Sequence, residues 1–286
     1  MGRLDVRKTH KLYIDGAFPR SESGRVFPAE DSNGQVVARM SQASRKDLRD
    51  AVRAARGAQP GWAGRTAYNR AQILYRVAEM VEDRREAFAA QLEVDGRDRA
   101  AVDAEIEASI DRLVWYAGWS DKFAQVLGNL NPVAGPFFNI SVPEATGVIG
   151  VAAPEEPPLL GLVSVVAPVV VSGNTAIVVP SGRWPLTAVT FAEALATSDV
   201  PGGVVNLLTG FKDELLPWLA GHMDVNGLDL DGAPSDMVGA LVDAGAENLK
   251  RTRTDRTDDW WAASAQSPYR IAAFTETKTV WHPKGR

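Results

Sequence analysis

A chain of 286 residues, 45% of them hydrophobic, can bury a sizeable core as one large domain or two ordinary ones. Its formal net charge of -5 and the lack of any basic block exclude a typical nucleic-acid-binding surface. It contains no cysteine, which excludes disulfides, thiolate nucleophiles and cysteine-ligated metals.

The amino-terminal segment MGRLDVRKTHKLYIDG is polar and lacks the apolar core of a secretory signal. Val6 stands where a myristoylation signal needs Ser or Thr. Residues 10–42 read as strands and turns, because Asp15-Gly16 and Asn33-Gly34 each separate apolar runs. Ser44, with Asp47 three residues on, marks a helix start; that helix is expected to run to about Gly57 and stop near Pro60. A long helix is expected over residues 67–94, with Ile73, Leu74, Val77, Met80, Val81, Phe88 and Leu92 at helical spacing and Gly96 as its stop. Another is expected over residues 99–127, through Val102, Ile106, Ile110 and Leu113. Trp115, Tyr116 and Trp119 on it read as core rather than as a binding site.

From about residue 135 β-rich and helical stretches alternate: FFNISVPEATGVIGVAAP, a helix near 157–172, NTAIVVP, a helix near 185–197, VVNLL, a helix near 213–221, GLDLDG and a helix near 235–246. This order predicts a parallel, doubly wound α/β sheet, whose ligands sit at the carboxyl ends of the strands. The informative loops are therefore those after Ala153, Val179, Leu208 and Leu230. The longest apolar run, residues 159–172, is shorter than the ~20 residues a membrane helix needs and is interrupted by Pro168, so it reads as a buried helix. Residues 251–268 read as polar and irregular. The last segment is strand-like, with Ile271, Phe274, Thr277, Thr279, Val280 and Trp281, and such a strand must pair elsewhere in its own chain or in another's. The expectation is a soluble cytoplasmic protein with neither a membrane nor a nucleic acid as partner.

Several of these pieces, in order, resemble the aldehyde dehydrogenase superfamily. YIDGAF, AVRAARGAQPGWA and WYAGWSDK are similar to that family's opening half. GVIGVAAPEEPPLL stands where the family has a Pro-Trp-Asn-Phe-Pro-Leu segment, and SGNTAIVVPSGRWPLTA where it has Gly-Asn-Thr, a strand and Lys-Pro-Ser-Glu. VPGGVVNLLTG, ending at Gly210, resembles its Pro-Pro-Gly-Val-Leu-Asn-Val-Val-Thr-Gly stretch, and FTETKTVW its final, subunit-pairing strand. The resemblance implies a Rossmann-like sheet of aldehyde dehydrogenase type with N-terminal helices and a separate oligomerisation strand. A family member carries its catalytic domain, with the nucleophilic cysteine, between the segments resembling AENLKR and the final strand. Here only residues 251–268 lie between them, so the catalytic domain is expected to be deleted. The expected division is 1–130 for hairpins and helices, 131–250 for the Rossmann-like core and 251–286 for a linker and the oligomerisation strand.

The family's reaction needs a thiolate nucleophile, an oxyanion-holding asparagine, a glutamate base and a nicotinamide cofactor. The resemblance puts Glu156, after Pro154 and Glu155, at the asparagine's position, where a carboxylate repels an oxyanion. The base falls near Asp255, but the glycines of its motif are gone and no role is carried onto that residue. The ribose-binding lysine and glutamate align with Val179 and Gly182, leaving Pro180 and Ser181 to shape a turn. The Gly-Ser-Thr segment near the pyrophosphate aligns with Gly232, Ala233 and Pro234; proline has no N–H to offer and alanine no hydroxyl. Losing two ribose contacts weakens a micromolar site by about tenfold to several hundredfold. No catalytic residue and no physiological cofactor is expected, NAD(P) being at most weakly retained.

Other constellations carry less. Glu155 and Glu156 could form an acid/base pair, but neighbours in a loop seldom converge on one atom, and a solvated loop is the expectation. Asp224, Asp229, Asp231 and Asp236 could hold a metal, but solvation is expected, and His10, His222 and His282 are scattered without metal spacing, so no metal site is predicted. His282 is expected to follow the last strand, exposed. The resemblance thus implies a non-catalytic member acting as a structural or regulatory subunit. Its expected partner is a full-length active aldehyde dehydrogenase, or a second copy of itself, met through the strand from Ile271 to Trp281. The rival readings are an NAD(P)-dependent oxidoreductase of altered chemistry and a nucleotide or small-ligand sensor using the remnant crevice.

Overall fold

The computed structural model describes residues 7–285; Val6 and the Met-Gly start lie outside them. The first sheet contains β1 (Thr9–His10), β2 (Val26–Glu30) and β3 (Val36–Ser41) in the order β1-β3-β2. Both expected turns are present. Asp15 and Gly16 have φ of 55° and 74° between the bridged residues Ile14 and Ala17, and Gly34 has φ 75° between β2 and β3. These left-handed conformations are what such hairpin turns demand.

Helix α1 (Arg45–Ala63) opens on a reciprocal cap: the Asp47 N–H donates to Ser44 Oγ (3.2 Å) and the Ser44 N–H to Asp47 Oδ2 (2.8 Å). It runs through Pro60 rather than stopping there. Its last turn is held because Trp62 is buried and donates its Nε1–H to the Val170 carbonyl (2.8 Å). The single helix expected over 67–94 is two, α2 (Ala67–Asp83) and α3 (Arg85–Leu92). The chain breaks at Arg84, whose N–H closes a tighter turn on Val81 O (3.1 Å) and turns Phe88 and Leu92 into the core. The helix expected over 99–127 is also two, α4 (Arg99–Trp119) and α5 (Phe123–Leu127). Ser120 ends the first and donates its Oγ–H to Ala67 O (2.7 Å). Tyr116 is fully buried with Trp115 edge-on at 4.9 Å, as a core cluster should be.

The next strands are β4 (Asn129–Asn131), β5 (Phe137–Ala145) and β6 (Val148–Ala152). The last two fall in one β-rich stretch of sequence but belong to different sheets. After them come α6 (Pro158–Val171), β7 (Thr175–Val179), α7 (Pro185–Thr197), β8 (Val205–Leu207), α8 (Lys212–Ala220), β9 (Gly227–Asp229), α9 (Val238–Ala246), β10 (Arg251–Arg253), α10 (Pro268–Ala272) and β11 (Thr275–Pro283). The central sheet is parallel, in the order β10-β9-β6-β7-β8. β6 and β7 are buried on both faces and so read as continuous apolar runs. Ile149, Val151, Ala176 and Val178 face α2, α4, α6 and α7, while Val148, Ile177 and Val179 face α1 and α8. The expected doubly wound architecture is therefore present. α6 is buried along its whole length because α4 covers the side turned away from the sheet. No helix among the described residues is long and apolar enough to cross a membrane.

Two expectations about the carboxyl-terminal part change. The stretch 251–268 is not wholly irregular: β10 pairs in parallel with β9, Thr252 opposite Leu228. The final strand begins at Thr275 rather than Ile271, since Ile271 lies on α10 and both it and Phe274 are buried in the core. β11 pairs antiparallel with β5 over nine residues, from Thr275 opposite Ala145 to Pro283 opposite Phe137, in a third sheet of order β11-β5-β4. Its first pairing partner is in its own chain.

Candidate functional site

The carboxyl ends of β6 and β9 frame an open crevice of about 440 Å³. Pro154, Glu155, Glu156, Lys212, Gly232 and Arg256 are among its lining residues. The crevice lies where a doubly wound sheet places ligands. Gly232 packs flat on the β6 loop, and an added Cβ would lie 2.2 Å from the carbonyl carbon of Ala153. Lys212, the first residue of α8, reaches between the two loops. Its Nζ donates to Ala153 O (2.6 Å) and Gly232 O (2.9 Å) and lies 2.5 Å from Glu155 Oε1. The other Glu155 oxygen accepts from Ser181 Oγ (2.8 Å) and the Arg183 N–H (3.1 Å).

Glu156 turns the other way. Its Oε1 is 2.8 Å from Arg183 Nη1 and 3.4 Å from Trp184 Nε1. The two glutamates therefore diverge and make no acid/base pair, although Glu155 is pinned by three donors rather than left to solvent. Burial works to raise the Glu155 carboxyl, but Lys212, the Arg183 amide and Ser181 outweigh it and hold the group below its usual range. Burial lowers Lys212 despite the pull of Glu155. The geometry settles its form: three acceptors converge on Nζ, which is the environment of an ammonium, not of a free amine.

Of the remaining expected positions, Ala233 lines the same crevice and Ser181 meets it through Glu155, while Val179, Pro180, Gly182 and Gly210 are not among its lining residues. Val179 ends β7 fully buried, and Pro180 and Ser181 follow it, with Ser181 Oγ also accepting from the Trp184 N–H (3.0 Å). Gly182 lies in that turn. Gly210 precedes α8, where an added Cβ would stand 3.0 Å from Leu215. Ala233 is buried, and Pro234 follows it four residues before α9, so the stretch 232–234 lies ahead of the helix rather than on its first turn. Lys212 was not singled out from the sequence. The available signal was a lysine at the first position of a helix, where the macrodipole disfavours a cation.

The acidic cluster divides. Asp224 and Asp236 are exposed, but Asp229 and Asp231 are only 1% and 4% exposed, which overturns the expectation of solvation. Arg253 Nη1 lies 3.1 Å from Asp229 Oδ1 and 3.0 Å from Asp231 Oδ2, and Arg270 Nη2 lies 3.1 Å from Asp231 Oδ2. Thr257 adds its N–H (2.9 Å) and hydroxyl (2.6 Å) to Asp231. Burial raises Asp229. It also works to raise Asp231, but Thr257 and Arg253 prevail and hold that carboxyl low. Arginines fill this cluster, and no group of three metal-capable side chains occurs among the described residues. Asp255 is exposed, His10 is on β1 and His222 follows α8. His282 is exposed but lies within β11 rather than after it.

The final strand presents a different surface. Thr277 faces Pro143, Thr279 lies 2.8 Å (Oγ1 to Oγ) from Ser141, Val280 faces Ile140, and Trp281 meets Phe137 edge-on at 5.8 Å. Alternation places Leu130, Phe138, Ile140, Val142 and Val280 on one face of this sheet, and all five are exposed. The outer edge of β11 carries no strand among the described residues.

The model of the aldehyde dehydrogenase family matches residues 19–255. Retinal dehydrogenase 2 of Gallus gallus is 34% identical over 257 residues, covering 87% of this chain and 48% of that protein. Aldehyde dehydrogenase, cytosolic 1, of Elephantulus edwardii is 32% identical over 250 residues, covering 84% of this chain and 49% of that one. Among solved structures, the NAD+ complex of an aldehyde dehydrogenase from Bacillus cereus aligns with a TM-score of 0.81 and 27% identity, over 86% of this chain and 50% of that chain. An aldehyde dehydrogenase from Burkholderia cenocepacia aligns with a TM-score of 0.82 and 28% identity, over 86% and 50%. The chain spans about half the length of the curated relatives it matches.

Proposed function

The chain belongs to the aldehyde dehydrogenase family, and on that premise we propose that it is a non-catalytic member, a structural or regulatory subunit that pairs with a full-length active aldehyde dehydrogenase. The carrying observation is the β11-β5-β4 sheet, which offers five exposed apolar side chains on one face, beside the ion pair between Glu144 and Lys278, and an outer edge that is open among the described residues. Its chemistry supports the same reading. These 286 residues contain no cysteine to attack an aldehyde. Glu156, at the oxyanion position, is a carboxylate already engaged with Arg183. On the cofactor side the residues do not fit a dinucleotide: Val179 is apolar, Gly182 has no side chain, and Pro234 has no amide to donate.

The association is tested by affinity capture of the chain from its native host, followed by mass spectrometry. The expected result is co-purification with an intact aldehyde dehydrogenase, and loss of that complex when residues 275–285 are removed. If the native protein elutes as a lone monomer from its own cell extract, the proposal fails. Turnover of an aldehyde with NAD(P) by the purified chain alone would favour the rival enzymatic reading.

A further inference from the structure

Beyond the cofactor contacts that the residues do not offer, the crevice contains something more definite. We propose that it is closed by the chain's own charges, the Glu155 carboxylate being held against Lys212 as an internal anion in the place of a dinucleotide phosphate. This rests on the family membership and not on the pairing with a partner.

A phosphate in such a crevice needs unengaged N–H donors and a positive field. Neither is left. The three protons of Lys212 Nζ are directed at Ala153 O, Gly232 O and Glu155. The Gly232 N–H donates to Ala152 O (3.0 Å), the Ala233 N–H to Leu230 O (3.0 Å) and the Asp231 N–H to Asp229 Oδ1 (3.2 Å). Arg256 donates Nη1 to Asp231 O (3.1 Å) and Nη2 to Ala233 O. Arg183 is engaged by Glu155 through its amide and by Glu156 through its guanidinium. An incoming pyrophosphate would therefore find these donors already paired and two carboxylates facing it.

The same device recurs at the adjoining helix. The first free amides of α6, Leu159 and Leu160, donate to Glu105 Oε1 at 2.8 and 3.2 Å, and Glu105 is completely buried on α4. A helix amino terminus is an ordinary anion site, and here the anion is a side chain. In both places the chain supplies the carboxylate itself. Lys212 is enclosed, its side chain 7% exposed, whereas Glu155 keeps 45% of its side chain accessible. Glu155 is thus the movable half of the pair, and its removal would leave a buried ammonium facing an open crevice.

The test is calorimetric titration of the whole chain with inorganic pyrophosphate, NAD and NADP. The wild type is expected to give no binding at millimolar ligand. Glu155→Gln, which keeps the shape and removes the charge, is expected to gain pyrophosphate affinity by at least about tenfold. Adding Lys212→Ala to that variant should erase the gain. Thermal unfolding verifies each fold, and Glu155→Ala serves if the glutamine variant does not fold. Submillimolar NAD(P) binding by the wild type would overturn the proposal. So would a folded Glu155 variant without the gain, or a gain that survives Lys212→Ala.

Discussion

The central sheet and the β11-β5-β4 sheet finish their edges in opposite ways. At β10 the edge is sealed by charge: Arg253 and Arg270 bind Asp229 and Asp231, and Thr257 completes Asp231. From α4, Arg112 reaches across to Ser164 Oγ (2.6 Å), Trp260 O (2.9 Å) and Gln266 Oε1 (3.1 Å). At β11 apolar side chains stay exposed on both faces, Val280 46% and Trp281 57%, and no strand among the described residues covers its outer edge. The short segment 251–270 is thus a built closure of the sheet rather than a loose remnant, and the unfinished surface lies elsewhere. A buried ion-pair cluster fixes one arrangement of the chain, whereas an exposed apolar sheet face invites a partner.

The most severe way to break this contrast is to open the closure. Asp231→Ala leaves Arg253 and Arg270 buried without their shared carboxylate and should cost about 3–5 kcal/mol. Urea unfolding measures it, and a loss under about 1 kcal/mol would mean that the cluster does not hold the segment. The same carboxylate sets a pH dependence. Asp231 has its folded pKa depressed, so its contribution is present above the ordinary carboxyl range and lost as pH falls through the lower folded value. Unfolding series run from neutral pH downward should show stability falling below about pH 4, and Asp231→Asn should flatten that acid limb. Asp229, raised by burial, acts in the opposite sense across the same range, so the acid limb reports the balance of the two.

A smaller effect is expected at the strut between α4 and the closure. Arg112→Met strands the acceptors at Trp260 and Gln266 and should destabilise by about 1–3 kcal/mol. Val280→Glu sharpens the contrast from the other side. It should change stability by no more than about 0.5 kcal/mol, because the residue is exposed, yet abolish co-purification of a partner. Retained co-purification with Val280→Glu would move the interface away from this sheet.

What the sequence made legible follows the same division. The cap of α1 was readable in Ser44 and Asp47, and the β–α alternation announced both α7, near 185–197, and the central sheet. The breaks at Arg84 and Ser120 were not readable, because helical apolar spacing runs straight through both. β10 was missed for a physical reason: Arg-Thr-Arg has no apolar content, and its place in the sheet rests on ion pairs with residues 22–24 positions away. The crevice positions were found by resemblance. Lys212, which fills the crevice, was not, since its partners Ala153, Glu155 and Gly232 come together only once the sheet has formed.

The pairing of β11 with β5 has a consequence in time. Ala145 meets Thr275, so β5 leaves the ribosome about 130 residues before the strand that completes it. Contacts of such long range form slowly, because a large loop must close first. Throughout that delay β5 carries Phe138, Ile140 and Val142 with its β11 side unpaired. Any strand of matching pattern already folded nearby competes with β11 for the same hydrogen bonds, so the order of synthesis gives a neighbouring chain the first opportunity to bind.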